Sequence, residues 1–135
     1  MIIDKNLLFS DAQAETTVAA HDSTNYIDIA VAGDANKELY LVVSVNTTCT
    51  STGSATVQLK MLTDSTTGWS SPVTVFDSGA IAVASLVAGY KICEVRIPKG
   101  KLERYTKLTY TIATAALSAG KFDAFLTPVL DDGLV

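Results

Sequence analysis

Apolar and polar residues alternate with a period of two along most of the chain. Between residues 105 and 113, Leu108, Tyr110 and Ile112 oppose Lys107, Thr109 and Thr111. Between 55 and 63, Val57, Leu59 and Met61 oppose Gln58 and Lys60. The same rhythm places Cys93, Val95 and Ile97 on one face of a segment over 90–97, and Phe122, Ala124 and Leu126 on one face of 121–127. A weaker alternation over 26–31 sets Ile27, Ile29 and Val31 against Tyr26, Asp28 and Ala30. Period two is the mark of a strand with one buried face. The strongest strand is 38–46. Leu39, Leu41, Val43 and Val45 form one face, and the other (Tyr40, Val42, Ser44) is apolar enough to predict a central strand or a covered outer face.

Turn chemistry separates these segments. HDSTN (21–25), GDANK (33–37), TTCTSTG (47–53) and DSTTGWSSP (64–72) read as loops. Ile97-Pro98-Lys99-Gly100 fits a type I turn, with one helical turn expected over 101–104. A short strand over 73–76 is expected to stop at Asp77-Ser78-Gly79. Residues 80–88, rich in small side chains, fit a strand or a short helix, with the strand preferred. About eight short strands and no long helix predict an all-β fold, an antiparallel β-sandwich or barrel. Residues 1–20 lack a sustained period. They form either a first strand or an N-terminal arm, and 21–135 form the sandwich. Pro128 ends pairing, and the acidic tail PVLDDGLV follows.

Composition narrows the class. The 135 residues are 48% hydrophobic and 18% charged, suited to one globular domain. The most apolar window, 80–90, is too short to span a bilayer, which takes about 20 residues, so no membrane partner is expected. The segment MIIDKNLLFSDAQ lacks the basic region of a signal peptide. Net charge is −4, and the small basic group Lys99, Lys101, Arg104 and Lys107 reads as a solvated corner and strand face, so no nucleic-acid partner is expected. Cys49 and Cys93 are expected to be free thiols, Cys49 exposed in a loop and Cys93 buried.

Candidate chemistry is sparse. His21 lies beside Asp22 and Ser23, but adjacency in sequence does not build a Ser-His-Asp relay. Asp64, Asp131 and Asp132 read as solvated loop acids and lack the spaced oxygen ligands of a calcium loop. One histidine and two distant cysteines fall short of a transition-metal ligand set, and phosphate-cradling glycine motifs are missing. No enzyme activity, cofactor or metal is therefore expected. Two features point to contacts instead. Trp69 in its polar loop either caps one end of the sandwich or anchors a sugar or a protein partner. Leu7, Leu8 and Phe9 are either core or part of an arm packed on another chain.

Several stretches, in order, carry a resemblance over nearly the whole chain. They are NLLFSDAQA (6–14), ELYLVVSVNT (38–47), LTDSTTGWSSP (62–72), LVAGYKICEVRIPKG (86–100), RYTKLTYTIAT (104–114) and GKFDAFLTP (120–128). Together they resemble the capsid cement, or decoration, proteins of tailed bacteriophages, of the type found in a Bordetella podovirus. The resemblance implies a jelly-roll sandwich on the outer surface of the phage head, made in the bacterial host cytoplasm. It implies the major capsid protein as partner, bridged and stabilised, and self-association as a dimer or trimer. It supplies no catalytic residue. Under this reading Leu7, Leu8, Phe9 and Trp69 are the candidate capsid or oligomer contacts. The alternatives are a carbohydrate-binding jelly roll with Trp69 as stacking platform, or another phage head or tail component.

Overall fold

The computed structural model describes residues 7–29, 39–97 and 101–128. Among them run nine strands: β1 (Leu8–Ala14), β2 (Ala20–Asp22), β3 (Ile27–Asp28), β4 (Leu39–Thr50), β5 (Thr56–Asp64), β6 (Val73–Ala82), β7 (Lys91–Ile97), β8 (Tyr105–Ala113) and β9 (Ala119–Thr127). They form two antiparallel sheets, ordered β1-β9-β4-β7 and β2-β8-β5-β6, with β3 also on β8. Strands β2 and β3 share one position along β8. Ser23 bridges the interruption: its N–H donates to Leu108 O at 2.8 Å, and its hydroxyl accepts from Leu108 N at 3.1 Å. Counting β2 and β3 as one interrupted strand leaves eight strand positions and the sheet order of a jelly roll.

The inner faces are those the alternation predicts. Leu41, Val43 and Val45 on β4, Val57, Leu59 and Met61 on β5, Leu108, Tyr110 and Ile112 on β8, and Phe122, Ala124 and Leu126 on β9 share one core. Leu86, Leu102 and Leu117, from the connections, join it. Strand β4 is central, flanked by β9 and β7. Its outward Val42 is buried, as is its cross-strand partner Phe125.

Several expectations need correction. Strand β4 does not end before the Thr-rich segment but continues to Thr50, pairing Thr47 with Lys121 and Thr50 with Ala119. Cys49 is therefore buried at 5% exposure, not exposed in a loop. Both thiols are free, and burial pushes Cys49 up to about 11 and Cys93 up to about 12. Asp77-Ser78-Gly79 does not stop β6 but makes a bulge in it. Gly79 supplies the φ of +69°, Asp77 accepts from its N–H at 2.9 Å, and Ser78 Oγ accepts the N–H of Leu59 at 3.0 Å where the ladder is interrupted. Strand β6 ends at Ala82 and a single 3-10 turn, Val83–Ser85, follows. Residues 101–104 form no helical turn. The turns expected at 33–37 and 98–100, and Asp131 and Asp132, lie outside the described residues.

Candidate interaction surface

The amino-terminal contact candidates divide by strand parity. Phe9 is fully buried in the sandwich core, and Leu7 packs against that core. Leu8 points the other way, half-buried, and pairs with Phe125 of β9. The arm reading thus gives way to a first strand for 8–14, because Phe9 fills its own chain's interior and has no surface left for a second chain. The sandwich accordingly begins with β1 rather than at residue 21. Alternation is hard to read here because β1 carries a bulge. Ala12 has a φ of +48°, and its N–H turns to donate to Asp123 Oδ1 at 2.7 Å.

Trp69 is placed by a carboxylate. Asp64, the last residue of β5, is buried and accepts from Ser71 N at 3.0 Å, Thr66 N at 3.2 Å and Ser65 Oγ at 3.4 Å. The Ser71 N–H, followed by those of Thr66 and Ser65, holds the Asp64 carboxyl below the usual carboxylate range. This anchoring folds the β5–β6 loop back over the outer face of the second sheet. Trp69 sits there with a φ of +52°, a conformation strained for a bulky residue.

Around Trp69 the outer face presents aromatics and paired charges. Tyr26 meets the indole edge-on at 6.4 Å between centroids and meets Tyr105 edge-on at 5.7 Å. Lys107 Nζ lies 4.5 Å from the Trp69 ring centroid while bonding Asp22 at 2.9 Å. Arg104 stacks 5.0 Å from the Tyr105 ring and grips Asp28 through two bonds of 3.1 and 3.2 Å. Strand register assembles the cluster. Tyr105 and Lys107 alternate outward along β8, β3 lays Asp28 opposite Tyr105, and β2 brings Asp22 opposite Thr109. Of the basic residues singled out in the sequence, Arg104 and Lys107 are thus committed to carboxylates, Lys101 is exposed, and Lys99 lies outside the described residues.

The remaining polar candidates are engaged in holding the frame. His21 Nε2 contacts Thr17 O at 2.9 Å, and its Nδ1 lies 3.2 Å from Glu15, while Asp22 turns to Lys107 and Thr109. Ser23 bonds Asn25 O at 2.7 Å. The three neighbours in sequence therefore form no relay. Among the described residues no group of three His, Cys, Asp or Glu side chains is placed to hold a metal ion. None of the helical segments there is long and apolar enough to cross a membrane. What this surface offers is contact: a rigid aromatic group, exposed on one side, set among neutralised charges.

A family model named Bbp16 matches residues 9–126, a span running from the second residue of β1 to the penultimate residue of β9. The chain belongs to the Bbp16 family. This is a family of Bordetella phage proteins, in line with the phage resemblance of the six sequence stretches. No curated protein matches the chain. The Bbp16 match covers the two-sheet frame except Leu8 and Thr127 at its ends, so the family relation and the jelly roll concern the same residues.

Proposed function

We propose that this Bbp16-family chain is a capsid cement, or decoration, protein: it binds the outer surface of a phage head and bridges major capsid protein subunits. The observation that carries the reading is the Bbp16 match across the sandwich. Physical chemistry supports it. A cement needs contact area and slow dissociation rather than a reaction, and repeated weak contacts around a shell gain through multivalency. In this reading the chain performs no catalytic step, needs no cofactor, and works on the virion as a dimer or trimer after synthesis in the host cytoplasm.

The test is co-sedimentation of the purified chain with undecorated shells of the major capsid protein encoded in the same genome, followed by heating. Saturable binding that raises the shell's disruption temperature is expected. A chain that stays in the supernatant at every concentration sinks the reading. Exposure of Tyr26 at 52%, beside the half-buried Trp69, favours one second reading, a carbohydrate-binding jelly roll. A glycan array that lights up, with loss on Trp69→Ala, would select it.

A further inference from the structure

We infer that the outer face of the β2-β8-β5-β6 sheet around Tyr26, Trp69 and Tyr105 is the surface that docks on the capsid protein, an inference that rests on the cement reading above. Three observations converge there. The first is composition. Trp, Tyr and Arg are the residue types that dominate binding energy at protein interfaces, and Trp69, Tyr26, Tyr105 and Arg104 are gathered by direct ring and cation contacts. Tyr26 is 52% exposed, and Thr74, which faces outward opposite Leu62 where the loop rejoins the sheet, is also exposed.

The second observation is pre-organisation. Trp69 is held at a φ of +52° by a loop whose amides converge on Asp64. A ring fixed before contact loses little entropy on binding, and that raises affinity.

The third observation selects the occupant. Lys107 is committed to Asp22, and Arg104 to Asp28. The face therefore presents apolar area with neutralised charge. A polyanion needs uncompensated cations, and a sugar on an aromatic platform needs polar groups with bonding capacity to spare beside the ring. A protein surface of low charge with apolar side chains needs neither. The face accordingly fits a neutral, apolar-centred patch of the capsid subunit. The exposed Val18, Val87 and Tyr90 belong to other connections; that of Val87 and Tyr90 is also anchored, with Gly89 N–H donating to Val45 O at 2.9 Å, but among the described residues it gathers no ring cluster like that around Trp69.

Undecorated shells of the same capsid protein are again the probe, in two measurements. In co-sedimentation, Tyr26→Ser and Trp69→Ala each weaken binding by at least about tenfold, the loss expected of interface hot spots. Lys91→Ala and Lys121→Ala, on the other sheet, stay within about twofold of the wild-type chain. Should Trp69→Ala loosen its loop, Thr74→Lys, on the outward side of β6, provides an independent variant with the same expected loss. In hydroxyl-radical footprinting of the unmodified chain, Tyr26 and Trp69 become protected on the shell. Wild-type binding with Tyr26→Ser and Thr74→Lys undiminished, or with Tyr26 and Trp69 still oxidised on the shell, overturns the docking face and leaves the cement reading standing. A wild-type chain that does not bind shells removes both. Glycan binding lost on Trp69→Ala, without shell binding, assigns the face to a sugar and overturns the inference as well.

Discussion

Strand β8 presents aromatics to both of its faces, and the two are held differently. On the inner face Tyr110 stacks on Phe122 of the opposite sheet, with centroids 5.1 Å apart and planes 22° apart. Its hydroxyl donates to Ser10 Oγ at 3.0 Å, and burial pushes that phenol above its ordinary pKa. On the outer face Tyr105 meets Tyr26 edge-on, Tyr26 meets Trp69, and Arg104 and Lys107 lie against the rings. The inner cluster joins the two sheets by excluding water, so every atom of it contributes to folding. The outer cluster joins a loop to one sheet and leaves area in solvent. Loss of a ring should therefore be felt in stability inside and in binding outside.

The largest test of this contrast is Phe122→Ala. The ring is fully buried against Tyr110, and its removal should cost about 3–5 kcal/mol, read from the urea midpoint at constant slope. That is a large share of the roughly 5–15 kcal/mol available to a domain. A loss below ~1 kcal/mol would mean that the inner stack does not join the sheets. A smaller effect is expected at Gly120, whose φ is +153° and whose added Cβ would stand 2.7 Å from Cys49 Sγ. Gly120→Ala should cost about 1–3 kcal/mol as overpacking. Adding Cys49→Ala removes the clashing sulfur, so the double variant should be less destabilised than the sum of the two single changes. Strict additivity would show that backbone strain alone sets the cost.

Legibility in the sequence follows the same division. The inner faces of β5, β8 and β9 could be read because each keeps an unbroken period of two across a boundary between core and solvent. Strand β1 could not, because its register slips between Leu8 and Ser10, leaving Phe9 and Ser10 both buried in succession, and slips again at the Ala12 bulge. The end of β4 was hidden because its Thr47, Thr48 and Thr50 are exposed while Cys49 alone points in. The bulge in β6 resembled a stop because Asp, Ser and Gly serve both purposes. Trp69 was visible as a loop tryptophan, but its partners were not. Tyr26, Lys107 and Asp22 come from other strands, and only the register of β2 and β3 on β8 brings them together.

The outer cluster is tested by acid. Asp64 has a lowered folded-state pKa, so its contribution is fully present above the unfolded carboxylate value of about 3.9. It is lost as pH falls through the lower folded value. Trp69 is the only tryptophan in the chain, so its fluorescence reports this loop directly. As pH falls below about 4, the unfolded carboxylate value, the emission should shift to the red once Asp64 gains its proton and releases the Ser71 and Thr66 amides. Asp64→Ala should show the shifted spectrum already at neutral pH. An unchanged spectrum in that variant would show that the loop holds Trp69 without its anchor.

The smallest effect carries the sharpest contrast. Trp69→Ala should lower stability by only about 0.5–1 kcal/mol, the order of an exposed cation–π contact. Glycine at the same position should do better. At a φ of +52° the alanine keeps the left-handed strain that glycine escapes, and Gly is favoured where φ is positive. Trp69→Gly should therefore equal or exceed Trp69→Ala in melting temperature, although it removes one more carbon. At Phe122, inside a regular strand, the order reverses, because glycine there adds backbone entropy to the cavity and escapes no strain. Measuring the four variants together separates a ring held by packing from a ring held by a strained loop. Alanine more stable than glycine at both positions would place Trp69 with the core residues, as a side chain that serves the fold rather than a partner.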